Sequence, residues 1–504
     1  MLLDAHDLPA GQTLDADLCI IGGGVAGITL AREFRTGTRK VILLEAGGFD
    51  YEGATQTLYE GQRRGQPHPP LDVCRQRFLG GSSNAWGGWL QPLEAIDFEA
   101  RSWVPHSGWP ISIDDLKPFT DRAHAVQQVA TPNYRPDPAE LLRTPGIMPL
   151  QPADAITGYY YYSPPTRWGE AYRQELADAP GIKAILHANV TELEVGAESD
   201  RITGVEVSTL SGNRFKVRAG IVVLAAGGIE NVRLLLASNR VRQQGLCNGR
   251  DLVGRYFMEH PGINFGHLQL SGKQVDVSAY DEDKIQRKGA QAAFFLSEAV
   301  VRREQTLNIG ATLLRRTPFT LARVKAQRAG VQMSRKIAVA AETVLANLPL
   351  LFGSSYALIV RAEQVPNPDS RITLTGERDR LNMPRVQLDW KLTEFDFAAI
   401  WQNVERLDRA FQAAGVGRMV YPKDGFGGRW REHIYTHSHH MGTTRMSADP
   451  TRGVVDANCR AHEISNLFLA GSSVFTTGGY ANPNVTIVQL TLRLADHLKQ
   501  VMAA

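Results

Sequence analysis

Cysteine is scarce in this chain: 504 residues carry only Cys19, Cys74, Cys247 and Cys459. They stand far apart, with no C-x-x-C pair and no Cys/His spacing of a zinc site, so neither a disulfide framework nor a structural metal is expected. Excess charge of one sign is lacking too. Lys and Arg number 55 against 52 Asp and Glu, and a balance of +3 is too small to imply a nucleic-acid footprint. The stretch Met1 to Leu18 holds Asp4, Asp7, Asp15 and Asp17 and lacks the basic region and apolar run of a secretory signal. Few thiols and no export address make a reducing cytoplasm the expected compartment. The longest apolar stretch, Ile337 to Phe352, is interrupted by Glu342, Asn347 and Pro349. It falls short of the ~18 uninterrupted apolar residues of a membrane span, so no transmembrane segment is expected. The remaining composition, 43% hydrophobic and 21% charged, is that of a globular chain. At about 150 residues per domain its length suggests two or three folding units.

What is present begins near the N-terminus. Asp17-Leu-Cys-Ile-Ile21 reads as a short apolar strand, Gly22-Gly-Gly24-Val-Ala-Gly27 as a glycine turn, and Ile28 to Phe34 as a helix. Gly22 permits the tight turn, Gly24 lets the backbone approach a pyrophosphate, and Gly27 lets the helix pack on the strand. The helix N-terminus then favours the phosphate charge. A second strand, Lys40 to Leu44, ends in Glu45, 23 positions after Gly22, where a carboxylate would accept ribose hydroxyls. The motif predicts a dinucleotide site without separating FAD from NAD. A second strand-turn-helix, Gly220-Ile-Val-Val-Leu-Ala-Ala-Gly-Gly228 followed by Ile229 to Leu236, reads as the same fold resumed after an insertion. The dinucleotide domain is therefore expected to be discontinuous.

These segments and several others resemble the glucose-methanol-choline (GMC) oxidoreductases, FAD enzymes that oxidise primary or secondary alcohols. Leu79-Gly-Gly-Ser-Ser-Asn-Ala-Trp-Gly87 is similar to the family's loop beside the flavin ring. Leu252 to Pro261 resembles a "vGr…dHp" segment, with Glu259 in place of the usual aspartate, and Glu363 to Leu374 resembles a substrate-domain strand region. The most specific stretch is terminal: His439-His-Met-Gly-Thr-Thr-Arg-Met446, Asn466 to Phe475, and Tyr480-Ala-Asn-Pro-Asn-Val-Thr486.

The resemblance implies an α/β chain with a Rossmann-like FAD-binding domain and a second, substrate domain on a mainly antiparallel sheet. The FAD domain is expected in three parts, 1–110, 166–262 and 433–504, with a cap segment at 111–165 and the substrate domain at 263–432. It also implies FAD contacts at Gly22, Gly24, Gly27, Glu45, Gly81, Ser82, Asn84, Trp86, Val190, Ala226, Gly471, Ser472, Pro483 and Thr486. His439 and Asn482, 43 positions apart, match the family pair that faces the flavin. Alcohol oxidation needs such a pair, because a neutral imidazole must take the hydroxyl proton as the carbinol carbon delivers hydride. Asn482 would orient the hydroxyl. His433, His437 and His440 read as structural, with the His440 side chain diverging from that of His439.

Two departures refine the expectation. Where sugar-oxidising pyranose oxidases tether FAD through a histidine, this chain has Ala85, and no histidine occurs from Gly80 to Glu99, so FAD is expected to be noncovalent. Gly471 replaces the aspartate common before the serine of the C-terminal segment, as in pyranose-oxidase-like members, which points the substrate towards carbohydrates. The primary expectation is oxidation of a sugar or glycoside hydroxyl, with an aliphatic or natural-product alcohol as the alternative and a flavin-binding scaffold without chemistry as the competing class. Oxygen, a quinone or a protein could each accept the electrons, and oligomeric state stays open.

In the middle of the chain, Ala292 to Leu296, Leu307 to Leu314, Tyr356 to Val360 and Val386 to Trp390 read as strands of a sheet over the flavin face. Phe395 to Ala414 has helical periodicity through Phe397, Ile400, Val404, Leu407 and Phe411. A basic run from Arg315 to Lys336 followed by the apolar Ile337 to Phe352 reads as a solvated helical excursion, with membrane or subunit docking as the alternative. The four tyrosines Tyr159 to Tyr162 alternate sides in a strand, so half of them could face a ligand.

Overall fold

The computed structural model describes residues 1–130, 132–197, 199–272, 275–280, 289–315, 355–421 and 429–503. The run Arg315 to Phe352 thus lies almost wholly outside the described residues.

Leu18–Ile21, Val41–Leu44 and Val222–Leu224 are unbroken apolar runs and are buried throughout, as strands covered on both faces must be. They belong to one sheet whose parallel part runs Leu2–Asp4, Ile182–Leu186, Val41–Leu44, Thr13–Ile21 and Arg214–Leu224. Leu467–Leu469, from the far end of the chain, pairs in parallel with Val222–Leu224 and completes it. The first residues of Arg214–Leu224 instead pair antiparallel with Ile202–Ser208, which in turn pairs with Asn189–Val195. The dinucleotide fold is therefore assembled from three separated pieces of chain. The helix Val25–Arg32 packs against the C-terminal helix Asn484–Val501, tying the first piece to the last.

The second large sheet is antiparallel at every pairing. Its order is Gly417–Val420, Pro261–Leu270, Ser355–Ala362, Ile309–Arg315, Ala290–Phe295, Ile156–Tyr162 and Trp89–Leu90, with Tyr435–Thr436 also on Pro261–Leu270. Three of the four predicted strands lie here. The fourth, Pro384–Trp390, belongs to a separate three-stranded sheet, because it pairs with Arg371–Arg378 and, in parallel, with Gly61–Gly65. In the tyrosine strand, Tyr160 is fully buried against Phe295, whereas Tyr161 packs on Tyr134 on the other side.

The predicted helix spans Glu394–Ala413 and opens with a reciprocal cap. The Thr393 N–H donates to Asp396 Oδ2 at 2.6 Å, and the Asp396 N–H donates to Thr393 Oγ1 at 3.3 Å. Its stripe of Phe397, Ile400, Val404, Leu407 and Phe411 is buried, with the Phe411 ring edge-on to Phe294 of the antiparallel sheet at 4.9 Å. That helix braces the back of the sheet and leaves the opposite face to line a cavity.

Candidate active site

A cavity of about 1200 Å³ lies between the parallel and antiparallel sheets. At one end it is walled by the glycine turn. Gly22 has φ +109°, and a Cβ there would stand 2.7 Å from the Ala225 carbonyl oxygen. A Cβ on Gly27 would fall 1.8 Å from the Gly22 oxygen, so helix and turn meet only because neither residue has a side chain. Gly24, by contrast, faces open space. Glu45 accepts the Gly23 N–H at 2.8 Å and the Gly47 N–H at 2.9 Å, and its burial pushes the carboxyl pKa upward despite those donors. The flavin-loop candidate is fastened to this turn by the Gly80 N–H, which donates to the Gly23 oxygen at 2.7 Å. Trp86 is held by its Nε1–H on the Thr166 carbonyl at 2.8 Å.

Of the predicted residues, Gly22, Gly24, Glu45, Gly81, Ser82, Trp86, Val190, Ala226, Gly471, Ser472, Pro483, His439 and Asn482 all line this one cavity. Gly27, Asn84 and Thr486 do not line it. Gly27 packs against the turn, the Asn84 amide donates to the Leu79 oxygen at 2.9 Å, and Thr486 is buried in the C-terminal helix. An open glycine cradle and a buried acid at the end of the second strand fit an extended dinucleotide running from this turn towards His439 and Asn482.

The other end is built around His439. Its Nδ1 lies 2.7 Å from Nδ1 of the fully buried His260, and His260 Nε2 lies 3.2 Å from the Gly478 carbonyl oxygen. A carbonyl only accepts, so His260 carries its hydrogen on Nε2 and presents a lone pair at Nδ1. His439 must then donate from Nδ1, which leaves Nε2 unprotonated at the cavity wall. The His439 pKa is held well below the usual value, first by burial and then by the neighbouring charges of His260, His437, Arg361 and His440. Burial pushes His260 down to about 3. The His437 ring stacks on His439 at 5.9 Å, and its Nε2 has no hydrogen-bond partner.

His439 and His440 do diverge. The His440 ring turns towards Phe257, Cys74 and Glu259. Glu259 joins the two: its Oε2 accepts the His439 N–H at 2.9 Å, while its Oε1 lies 3.5 Å from His440 Nε2. Asn482 sits in a turn anchored by Tyr480, whose hydroxyl donates to Glu94 at 3.0 Å. The Asn482 Oδ1 is buried without a partner.

The antiparallel sheet contributes residues that sequence reading missed. Asn264, Ile359 and Thr312 are cross-strand neighbours and all line the cavity, as does Arg361 two residues beyond Ile359. Arg361 is flanked across both strands by glycine, Gly262 and Gly310. A Cβ on Gly262 would stand 2.6 Å from His437 Nε2, and one on Gly310 2.3 Å from the Tyr160 hydroxyl. The alternation of each strand carried this face, but only pairing identifies which residues share it. His260 lay inside a recognised segment, and nothing local marked it as the partner of His439.

Among the described residues, no helix is long and apolar enough to cross a membrane. Residues 17–245 match a family model described as FAD dependent oxidoreductase, and residues 366–491 match one described as GMC oxidoreductase. The chain is 24% identical to a 2-methyl-1,2-propanediol dehydrogenase from Mycolicibacterium austroafricanum, over 96% of this chain and 95% of that one. It is 27% identical to the large subunit of a fructose dehydrogenase from Gluconobacter japonicus, over 97% and 98%. A 6'''-hydroxyparomomycin C oxidase from Streptomyces lividus is 31% identical over 29% of this chain and 27% of that one. The fold is similar to crystal structures of pyridoxine 4-oxidase from Mesorbium loti, with TM-score 0.55, 16% identity and coverage of 96% and 99%, and of formate oxidase, with TM-score 0.57, 17% identity and coverage of 98% and 99%.

Proposed function

Since the chain belongs to the GMC oxidoreductases, FAD-dependent enzymes that oxidise alcohols, we propose that it converts a hydroxyl of a sugar or glycoside to the carbonyl, with His439 as the base. The observation that carries this reading is the hydrogen-bond chain from His439 through His260 to the Gly478 oxygen, which leaves His439 Nε2 as a lone pair at the cavity wall. A hydroxyl placed there donates its hydrogen to Nε2, and the neutral ring takes the proton. The resulting imidazolium keeps its Nδ1–H on His260. Asn482 orients the hydroxyl oxygen through its amide. Bound FAD would supply the hydride acceptor, so that the alcohol would lose one proton to His439 and one hydride to the cofactor. Gly22, Gly24, Glu45, Gly81, Ser82, Trp86, Val190, Ala226, Gly471, Ser472 and Pro483, which line the cavity, would hold FAD, with Gly27, Asn84 and Thr486 supporting the wall behind them. Ala85 at the cavity wall offers no nucleophile for a covalent tether.

The sugar assignment draws on the near end-to-end likeness to a fructose dehydrogenase subunit. It also draws on a substrate wall that mixes the Trp86 and Trp89 indoles with polar Asn264, Thr312 and Arg361. Aromatic faces suit the CH faces of sugar rings, and the polar arms suit their hydroxyls. The equally extensive likeness to a propanediol dehydrogenase supports the second reading, a small non-sugar alcohol.

Anaerobic mixing with monosaccharides, glycosides and simple alcohols, followed by bleaching of the flavin band, tests this. Bleaching by a sugar is expected, whereas bleaching by other alcohols alone overturns the sugar assignment. Admitting air afterwards separates fast reoxidation by oxygen from a need for a quinone or protein acceptor. A His439→Ala chain that keeps its flavin and still bleaches at the wild-type rate overturns the base assignment.

A further inference from the structure

His68, Cys74 and His440 line the cavity and meet around the buried Glu259, so that three segments far apart in sequence converge here. The side chains of His68 and Glu259 are completely buried, and that of His440 is 8% exposed. His68 Nδ1 lies 2.9 Å from the Pro69 carbonyl oxygen, which can only accept, so the neutral ring turns a lone pair outward at Nε2. That lone pair faces Glu259 Oε1 at 3.4 Å, and His440 Nε2 lies 3.5 Å from the same oxygen. Neither His68 Nε2 nor Glu259 Oε1 has a hydrogen-bond partner, although Glu259 Oε2 accepts the backbone N–H groups of His439 and His260. Cys74 Sγ is 3.8 Å from His440 Nε2, and the ligating atoms of His68, Cys74 and His440 all lie within 4.8 Å of one another. Buried acceptors aimed at each other repel, and each one left unsatisfied keeps its desolvation cost uncompensated. A cation at their centre removes both penalties.

We propose that His68 Nε2, Cys74 Sγ, Glu259 Oε1 and His440 Nε2 bind one Zn²⁺ ion. Tetrahedral zinc with bonds of about 2.0–2.1 Å to nitrogen and oxygen and about 2.3 Å to sulfur sets ligand-to-ligand edges of roughly 3.3–3.6 Å. The Glu259 edges to His68 and His440 fall in that range and the Cys74 to His440 edge exceeds it by a few tenths of an ångström, whereas Glu259 stands outside the group of ligand atoms within 4.8 Å of one another, so its third edge, to Cys74, closes only when the Cys74 side chain turns onto the ion. Charge closes as well: one thiolate and one carboxylate cancel the two charges of the ion, and two neutral imidazoles complete the shell, so the filled site is neutral. Binding breaks the Cys74 S–H bond, forms the Zn–S bond and releases the proton to solvent, with no change of oxidation state. The thiol's long contact to the Leu71 oxygen, 3.7 Å, is given up. Because Glu259 also receives the His439 N–H, the ion fixes the peptide that carries the proposed base. The site does not depend on which alcohol is oxidised.

The test uses the full chain with FAD bound, stripped by a chelator and titrated with Zn²⁺ alone. Elemental analysis is expected to give one ion per chain. Zinc-edge X-ray absorption is expected to show one sulfur neighbour at about 2.3 Å and three nitrogen or oxygen neighbours at about 2.0–2.1 Å. Cys74→Ser should abolish the sulfur shell, and both Cys74→Ser and His68→Gln should weaken binding by about tenfold or more, since even the loss of a partner behind a ligand costs about 10- to 100-fold. Cys247→Ser, a buried thiol elsewhere, should leave binding unchanged. Retained flavin absorbance marks a folded variant, and if a variant loses it, the sulfur shell of the wild-type chain decides alone. No stoichiometric uptake overturns the site in favour of a protonated His68 paired with Glu259. Zinc bound without a sulfur neighbour, or bound equally well by folded Cys74→Ser, overturns it too.

Discussion

His260 offers the sharpest test of how the base is prepared. In His260→Leu, His439 Nδ1 loses the acceptor 2.7 Å away, and the Gly478 oxygen loses its donor at 3.2 Å. Nothing then opposes the tautomer of His439 that carries hydrogen on Nε2, and in that tautomer the atom facing the cavity cannot take a proton. A hydrogen bond of this kind is worth about 1 kcal/mol net, and up to about 3 kcal/mol where its loss strands a buried group. At 1.36 kcal/mol per decade, the limiting rate of flavin reduction should fall about 5- to 150-fold. Gln in the same place can accept from His439 through its carbonyl and donate to Gly478 through its amide, so His260→Gln should recover most of the rate. Anaerobic stopped-flow bleaching at several alcohol concentrations separates the limiting rate from substrate affinity. The rate is expected to fall with affinity nearly unchanged. A wild-type limiting rate in a flavin-loaded His260→Leu chain, or a Gln variant as slow as Leu, would refute the tautomer argument.

Three further outcomes are expected. Gly27→Ala places a Cβ 1.8 Å from the Gly22 oxygen, which forces the turn apart; the purified chain should lose most of its flavin, read as the ratio of flavin to protein absorbance. Arg361→Met removes a cation that helps hold the His439 pKa down, so the acid limb of kcat/KM should move to higher pH, and an unmoved limb would count against Arg361 facing the base. Acid should also weaken the fold itself. His260, His437 and His439 are held below the ordinary value, mainly by burial, whereas in the unfolded chain they titrate near ~6.5. The unfolded state therefore binds more protons as pH falls below about 6.5, and stability drops by up to about 1.4 kcal/mol per pH unit for each such histidine. Denaturant melts that are flat between about pH 7 and pH 5 would contradict this.

Much of the architecture was legible because it is local. The strand, glycine turn and helix at Asp17 to Phe34 need only neighbours in sequence, since the demands on Gly22 and Gly27 arise within one turn. Burial on both faces writes parallel strands as apolar runs, and the stripe in Glu394–Ala413 states its own packing face. His439 and Asn482 were named through the resemblance of their motifs to the GMC family rather than from local physics, and the fold brings them to one cavity. Strand partnership was less legible, because Pro384–Trp390 reads like its neighbours and yet pairs with Gly61–Gly65.

By itself, then, the sequence determined the elements, the dinucleotide turn and the residues whose chemistry sits inside short motifs. Tertiary structure alone decided which lone pairs meet. It set His260 against His439 across 179 positions, Gly262 and Gly310 beside Arg361, and His68, Cys74 and Glu259 beside His440. Hydrogen-bond direction and tautomer depend on atoms a few ångströms apart in space, and spacing along a chain carries no record of that distance once the segments lie in different layers.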